Sequence, residues 1–371
     1  MESPSILVMI FAFLLVLGPL VVVHELGHYL VGRWFGVKAD AFSVGFGKEL
    51  WGRTDRRGTR WKLSAWPLGG YVQFAGDMNA ASMPDQGKLH GISGDERNQV
   101  FHAKPLWQRA LIVAAGPVTN LLVAIAIFAA FNLAYGKIVS SSVIAGFTQV
   151  SAARDAGLKV GDRIVAIDGE PIQRFEQVRE RVLPYPGHRI AVTVEREGER
   201  RVVAVPIASR IDRDQFGNES RIGAIGIGGG KIQVAPVGPV EAVTLAVDQS
   251  IGIVKLMVTG IKQIVVGERS VKELGGPIKI AKYSGEKFSL GLAEFVYFAA
   301  LISINLAFIN LLPIPALDGG HLAFYAAEAV RRKPLGARSQ EWAFRTGLAL
   351  VLALMLFVTI NDLASLFTSG G

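Results

Sequence analysis

Long apolar runs alternate with polar stretches along the chain and predict its main elements. A helix needs about 20 apolar residues to cross a hydrocarbon core of roughly 30 Å. Four runs meet that requirement: 6–30, 111–135, 292–312 and 346–367. A weaker run at 240–266 carries four charges beside an apolar face, which is typical of an amphipathic helix lying on a membrane surface. The pattern therefore predicts a multi-span α-helical membrane protein with about four transmembrane helices.

Two of the regions between these runs have β character. Aromatic and small residues alternate through 41–74 and end in PLGGYVQFAGD, which predicts a β-hairpin region. The polar stretch 78–99 predicts a loop. Beyond the second run, strand patterns, a short helix near 175–182 and an Asp-Gly turn predict a compact α+β domain of about ninety residues.

Basic residues in the short loops predict the orientation. The segment between the third and fourth runs is rich in arginine and lysine, whereas the tail 368–371 has neither. We therefore place this segment and 35–110 in the cytoplasm, and both termini and 136–291 outside. The start of the chain lacks a basic region and a small-residue cleavage site, so we interpret 6–30 as a retained helix rather than a signal peptide.

Composition narrows the possible chemistry. Half of the 371 residues are apolar, the formal net charge is +8, and there is no cysteine. Without cysteine there is no thiolate metal site and no thiol nucleophile. The positive charges are dispersed and no reader motif occurs, so nucleic-acid binding is not supported.

Three ionisable side chains lie inside the first apolar run, in HELGH. His24 and His28 are four residues apart and share one helix face, so both can reach a single metal ion. Glu25 follows His24 directly and points to one side of the two histidines, where it can act as general base on a metal-bound water. HExxH also occurs by chance in helices, but unpaired polar groups in lipid cost several kcal/mol each. We therefore predict a metal site.

A third ligand is predicted near the end of the third run, in NLLPIPALDGGH. Pro313 and Pro315 prevent a regular helix and direct Asp318 inward, in non-helical backbone that is tolerated only where it lines a cavity. The alternative is a loop leaving the membrane, with Asp318 capping the following helix. His321 is a competing ligand that we rank below Asp318.

HELGH and NLLPIPALDGG together resemble the site-2 protease family of intramembrane zinc metalloproteases, peptidase family M50. GFGKEL, PLGGYVQFAGD, KPLWQRALIVAAGPVTN and GGPIKIAK resemble its bacterial branch, the regulators of sigma-E protease. The resemblance implies one Zn²⁺ held by His24, His28 and Asp318, with Glu25 as base. It also implies cleavage of single-span membrane proteins, such as anti-sigma factors, in the bacterial inner membrane after an upstream site-1-type protease has trimmed them.

The outer α+β region resembles a PDZ domain through AGLKVGDRIVAIDGEPI. One copy is evident, without a GLGF-like stretch, so we expect it to exclude bulky substrates rather than bind a free C-terminus. The predicted regions begin with a first transmembrane helix at 1–34, a cytoplasmic hairpin region at 35–105, a second transmembrane helix at 106–136 and the PDZ-like domain at 137–230. They continue with an amphipathic helix and linker at 231–291, a third transmembrane helix at 292–320, a cytoplasmic segment at 321–345 and a fourth transmembrane helix at 346–371.

Substrate contacts are predicted around the two motifs. Asn310 is the candidate donor to the developing oxyanion, and Asn305 the candidate holder of extended substrate backbone. Both asparagines could instead hydrogen-bond between helices. Further candidates lie in the proline motif and in the hairpin, where an edge strand could pair with substrate: Pro313, Pro315, Gly69, Gly70 and Tyr71.

Two other classes of function are weighed against proteolysis. A membrane adaptor could combine a PDZ-like domain with a purely structural metal site, but such a site has no need of Glu25. A metal transporter could use intramembrane His and Asp as an ion path. No internal repeat of the kind common in transporters is visible in the sequence.

Overall fold

Helices form most of the structure, a computed structural model that describes residues 4–76, 97–213, 219–230, 232–333 and 336–368. The helices are α1 Ile6–Trp34, α2 Leu106–Tyr135, α3 Ala152–Asp155, α4 Phe175–Val182, α5 Pro239–Val265, α6 Pro277–Ser289, α7 Leu292–Leu311, α8 Asp318–Arg331 and α9 Ala337–Thr368. The strands are β1 Ala39–Thr54, β2 Arg60–Phe74, β3 Lys137–Ser140, β4 Ile144–Phe147, β5 Arg163–Ile167, β6 Glu170–Pro171, β7 Arg189–Arg196, β8 Glu199–Pro206, β9 Ala208–Arg213, β10 Glu219–Ala224, β11 Ile227–Gly229 and β12 Ile232–Ala235. Most of the loop predicted at 78–99 lies outside the described residues.

Five helices in the described part of the chain are long and apolar enough to span a membrane, one more than the four spans predicted. Four of them, α1, α2, α7 and α9, contain the predicted spans. The additional helix is α5, which was predicted to lie on a surface. It meets the criterion because its four charges are spread over 27 residues, so that one 18-residue window, 242–259, holds only two of them.

The span boundaries also differ from the prediction. Helix α7 ends at Leu311, where the prolines were predicted to stop it, but short of the region predicted at 292–320; α9 begins at Ala337, well before residue 346. The segment predicted at 321–345 is therefore mostly helical, because α8 and the first turns of α9 occupy it.

The residues form two compact units. The bundle unit contains Pro4–Phe128 and Ser270–Gly371, and the strand-rich unit contains Ala129–Arg269.

A stripe of buried residues along α1 organises the bundle unit. Ala12, Val16, Leu20 and His24 follow one another at intervals of four and are all buried, while Leu7, Phe11 and Leu15 on other faces are exposed. A spacing of four keeps residues on one face of a helix. The N-terminal part of this stripe, from Ala12 to Leu20, packs with Phe295 and Ile302 of α7. The same stripe therefore carries His24 into the interior.

Strands β1 and β2 form an antiparallel hairpin beside α1. β2 passes along both edges of β1, because Phe42 is opposite Trp61 on one side and opposite Val72 on the other. Gly69 allows the bend between the two passes: its φ is +105°, and a Cβ there would collide with the Phe46 ring. Aromatic and aliphatic side chains of the hairpin pack with Tyr29 of α1 and Ile112 of α2.

In the strand-rich unit, the largest sheet has the antiparallel order β6-β5-β7-β8. Asp168 and Gly169, both with positive φ, make the predicted Asp-Gly turn between β5 and β6. Helix α4 occupies 175–182, the range predicted for it. Its Val178 and Val182 join Ile164, Val192 and other aliphatic residues in a continuous core.

A buried ion pair links the loop before β5 to the end of β7. Both carboxylate oxygens of Asp162 accept hydrogen bonds from the Arg196 guanidinium, at 2.6 and 2.7 Å, and Oδ2 also accepts from Lys159 N at 2.8 Å. The Asp162 side chain is only 1% exposed. The hydrogen bonds from Arg196 lower the pKa of Asp162.

We predict that Asp162→Asn destabilises the strand-rich unit by about 2–4 kcal/mol at neutral pH, because Arg196 loses its charged partner. The carboxylate contributes stability above its unfolded pKa of about 3.9, and this contribution is lost as pH falls through the lower folded pKa. The deficit should therefore shrink in acid. Thermal unfolding of the purified protein between pH 3 and 7 measures it. The exposed Asp155→Asn is the matched control, and an equal loss in both variants would contradict the prediction.

Candidate metal centre

Helix α1 brings the two histidines of HELGH together. Their Nε2 atoms are 3.2 Å apart, and their rings meet edge to face with centroids separated by 4.8 Å. This is the geometry expected for positions four residues apart on one helix. His24 is buried and His28 is half-buried.

Asp318 reaches the histidines because the chain is not helical between α7 and α8. Leu312 ends α7 in an extended conformation, and helical structure resumes at Asp318. Just before it, Ala316 has a φ of +85°, a strained conformation for a residue with a side chain. The N-cap residue of α8 is Leu317, so Asp318 is the first residue of the helix and not its cap.

The glycine pair after Asp318 permits the close approach of the two helices. A Cβ at Gly319 would collide with the carbonyl oxygens of Leu311 and Leu312 at the end of α7. A Cβ at Gly320 would likewise collide with the carbonyl oxygen of Ile314. The first turn of α8 is thus packed directly on the connecting segment, which fixes the position of Asp318.

The three side chains form a set of ligand atoms that suits one metal ion. Asp318 Oδ2 lies 3.1 Å from His24 Nε2 and 3.5 Å from His28 Nε2. A tetrahedral Zn²⁺ with bonds of about 2.0–2.2 Å separates its ligand atoms by about 3.3–3.5 Å. Apart from these two ring nitrogens, the buried Asp318 Oδ2 has no hydrogen-bond partner among the described residues. Two imidazoles and a carboxylate therefore fit zinc and leave a fourth position for water or substrate.

Helix α2 supports the imidazoles from the side away from Asp318. His28 Nδ1 donates to the carbonyl oxygen of Ile112 at 2.9 Å, which leaves Nε2 free to bind metal. One turn later, Gly116 provides space for the rings, since a Cβ there would collide with both histidines. After another turn, the amide of Asn120 lies 3.2 Å from His24 Nδ1. Our reading of the motifs missed these three residues, although a polar residue inside the second apolar run is itself a signal of function.

Glu25 is held by the hairpin. Its Oε2 accepts a hydrogen bond from Val72 N at 3.1 Å. Gly70 permits the close packing of β2 on β1 at this point, because a Cβ there would lie only 2.7 Å from the carbonyl oxygen of Ser43. β2 therefore orients the carboxylate next to the histidines.

A cavity of about 350 Å³ opens beside these groups in the bundle unit. His24, Glu25, His28 and Asp318 all line it. Among the other predicted residues, Asn310, Gly69, Gly70, Tyr71 and His321 line it as well, whereas Asn305, Pro313 and Pro315 are not among its lining residues. His321 does not belong to the cluster of metal-ligating atoms found in the described residues.

This arrangement defines a class of protein: a helical membrane protein with a metal-dependent hydrolytic centre of the HExxH type. The profile of peptidase family M50 matches residues 12–354. The chain belongs to this family and is a zinc metalloprotease.

Relatives cover nearly the whole chain. Two proteins named "Putative zinc metalloprotease", from Agrobacterium fabrum and Rhizobium meliloti, are each 48% identical to it, over 95% and 96% of both chains respectively. A third, metalloprotease MmpA of Caulobacter vibrioides, is 36% identical over 96% of both chains.

We predict that Asp318→Asn lowers zinc affinity by at least about 100-fold, because a neutral amide replaces the anionic ligand. Bound zinc should be measured by elemental analysis after dialysis against a graded chelator. Glu294→Gln, in the first turn of α7, is the control and should retain zinc. Equal zinc content in the two variants would exclude Asp318 as a ligand.

Proposed function

We propose that this metalloprotease cleaves peptide bonds within the membrane-spanning segments of single-span membrane proteins. The observation that carries the proposal is that the site lies among apolar helices. The metal-ligating atoms and Glu25 border a cavity lined by helices that are apolar enough to span a bilayer, and both histidines lie on one of them. A substrate that reaches this cavity from the lipid is itself a membrane segment. Anti-sigma factors are the substrate type that the family resemblance suggests.

The proposed chemistry assigns a role to each residue. His24, His28 and Asp318 hold Zn²⁺, which when bound lowers the pKa of a water towards about 7 and polarises the scissile carbonyl. Glu25, held by the Val72 N–H, accepts the proton of the attacking water and later delivers it to the leaving nitrogen. Asn310 donates a hydrogen bond to the carbonyl oxygen as its charge grows. Pro313 and Pro315 keep the chain non-helical before Asp318, and Asn305, which is not among the lining residues of the cavity, is assigned no contact with substrate.

Substrate must be extended before its carbonyl is accessible, and the hairpin offers a template. The C-terminal part of β2, residues 70–74, pairs along one edge with β1, where Val44 is opposite Gly70 and Phe42 is opposite Val72. Gly69, Gly70 and Tyr71 line the cavity. We propose that substrate adds as a strand beside these residues, by β-augmentation. Val72 is excluded from this pairing, since its N–H is committed to Glu25.

The proposed setting is the bacterial inner membrane, with both termini outside and the hairpin and α8 on the cytoplasmic side. The strand-rich unit then lies outside the membrane, and α5 lies along the outer surface, where its exposed apolar residues meet lipid. Val240, Val243, Ile251, Leu256 and Val258 are such residues. We further propose that residues 137–230 form a PDZ-like domain that excludes substrates until an upstream protease has trimmed them.

We predict that Glu25→Gln lowers peptide cleavage by about 100-fold or more while zinc content stays unchanged, because the amide cannot accept the proton of water. The assay is cleavage of a single-span model substrate by reconstituted protein, with zinc measured on the same samples. His24→Ala should lose both zinc and activity. A fully active Glu25→Gln variant would refute the assignment of the base.

We predict that excising 138–234 relaxes substrate selection. Lys137 and Ala235 are paired neighbours on β3 and β12, so a short Gly-Ser linker can join the cut ends without displacing the flanking helices. The excised protein should cleave untrimmed substrate at a rate approaching that for trimmed substrate, and the intact protein should not. Unchanged discrimination would refute the filter, while retained cleavage of trimmed substrate verifies that the bundle unit is folded.

A further inference from the structure

One face of α2 touches both imidazoles of the metal centre. Ile112, Gly116 and Asn120 are spaced at intervals of four and therefore lie along one line on the helix. Ile112 accepts a hydrogen bond from His28, and Gly116 makes room for both rings. Asn120 lies against His24. Each imidazole thus has its Nδ1 held by α2 and its Nε2 directed towards Asp318.

The partners of the two rings differ in one respect. A backbone carbonyl can only accept, so the contact with Ile112 places a proton on His28 Nδ1 and leaves Nε2 as a lone-pair donor to metal. A side-chain amide can either donate or accept. For His24 to bind metal through Nε2 as a neutral ring, its Nδ1 must carry the proton, and Asn120 must present its carbonyl oxygen.

Reversing the Asn120 amide into this orientation breaks no hydrogen bond of its side-chain oxygen. Asn120 is completely buried, and its side-chain Oδ1 has no hydrogen-bond partner while Nδ2 faces His24. A half-turn of the amide exchanges Nδ2 for Oδ1, so that the oxygen accepts from His24 Nδ1. The backbone of Asn120 is anchored separately, because its carbonyl oxygen accepts from Ser303 Oγ at 2.7 Å.

We propose that Asn120 is a positioning residue of the zinc centre: its amide oxygen accepts a hydrogen bond from His24 Nδ1–H and so fixes the tautomer and ring orientation in which Nε2 binds zinc. This inference rests on the proposed role of His24 as a ligand. Asn120 touches neither substrate nor metal and acts only through the imidazole.

Two variants of Asn120 test whether its side chain accepts a hydrogen bond from His24 Nδ1 or donates one to it. Asn120→Leu has similar size and no hydrogen-bonding group, and zinc affinity should fall by about 10–100-fold. Asn120→Asp retains an acceptor and loses the donor, so zinc affinity should remain within a few-fold of the wild type. If Asn120 acted by donating from Nδ2, or only by filling space, the Asp variant would bind no better than the Leu variant.

The measurement is zinc affinity of the detergent-solubilised protein by competition with a chromophoric chelator, together with the visible spectrum of the Co²⁺-substituted protein. Asn132→Leu is the matched control, since Asn132 lies on the same helix and donates to the Ala242 carbonyl oxygen instead; its zinc affinity should be unchanged. Thermal unfolding in excess chelator tests whether the variants fold equally well without metal.

Each result decides between the proposals. Weak zinc binding in Asn120→Leu with recovery in Asn120→Asp supports the positioning role. Wild-type affinity in Asn120→Leu, or equal losses in both variants, overturns it. His24→Ala separates the proposed ligand role of His24 from the positioning role of Asn120. If His24→Ala keeps its zinc, His24 is not a ligand. If it loses zinc while Asn120→Leu does not, only the role of Asn120 is refuted.

Discussion

The rest of this structure depends on the mutual pairing of polar side chains that lie among apolar helices. An imidazole or carboxylate inside a bilayer needs a partner, because no water is available to replace one. His24, His28 and Asp318 partner one another, and their ligand atoms all lie within 4.8 Å of each other. These atoms come from α1 and α8, whose sequence positions are nearly three hundred residues apart. Joining them fixes how the two halves of the bundle unit pack.

The remaining features of the site make this convergence possible. The break between α7 and α8 lets Asp318 enter the interior, at the expense of a strained Ala316. Gly116, Gly319 and Gly320 remove side chains that would keep the helices apart. The hairpin supplies a backbone N–H to Glu25, and α2 supplies partners for the outer nitrogens of both histidines. A hydrolytic centre is thus assembled from four separate segments, each of which contributes a different kind of contact.

The predictions succeeded where local pattern decides the outcome, and they were weaker where neighbours decide it. The apolar runs located α1, α2, α7 and α9, because crossing a bilayer requires a length that the sequence records directly. α5 was harder to classify, since its charges and apolar residues satisfy the description of a surface helix and of a span equally. The start of α9 was also misplaced, because this helix begins nine residues before the apolar run, in a polar segment.

Sequence by itself determined the chemistry of this protein: HELGH fixes two imidazoles on one helix face with a carboxylate beside them, and the prolines before Asp318 prevent a helix there. Only the tertiary structure decided which distant groups complete the centre. It brought Asp318 rather than His321 to the imidazoles and left Asn305 away from the cavity. It also placed Val72 against Glu25, and Ile112 and Asn120 against the histidines. The physical reason is that these contacts depend on the packing of α1 against α2, α8 and the hairpin, and two of the partners are backbone groups, whose identity no side-chain motif can encode.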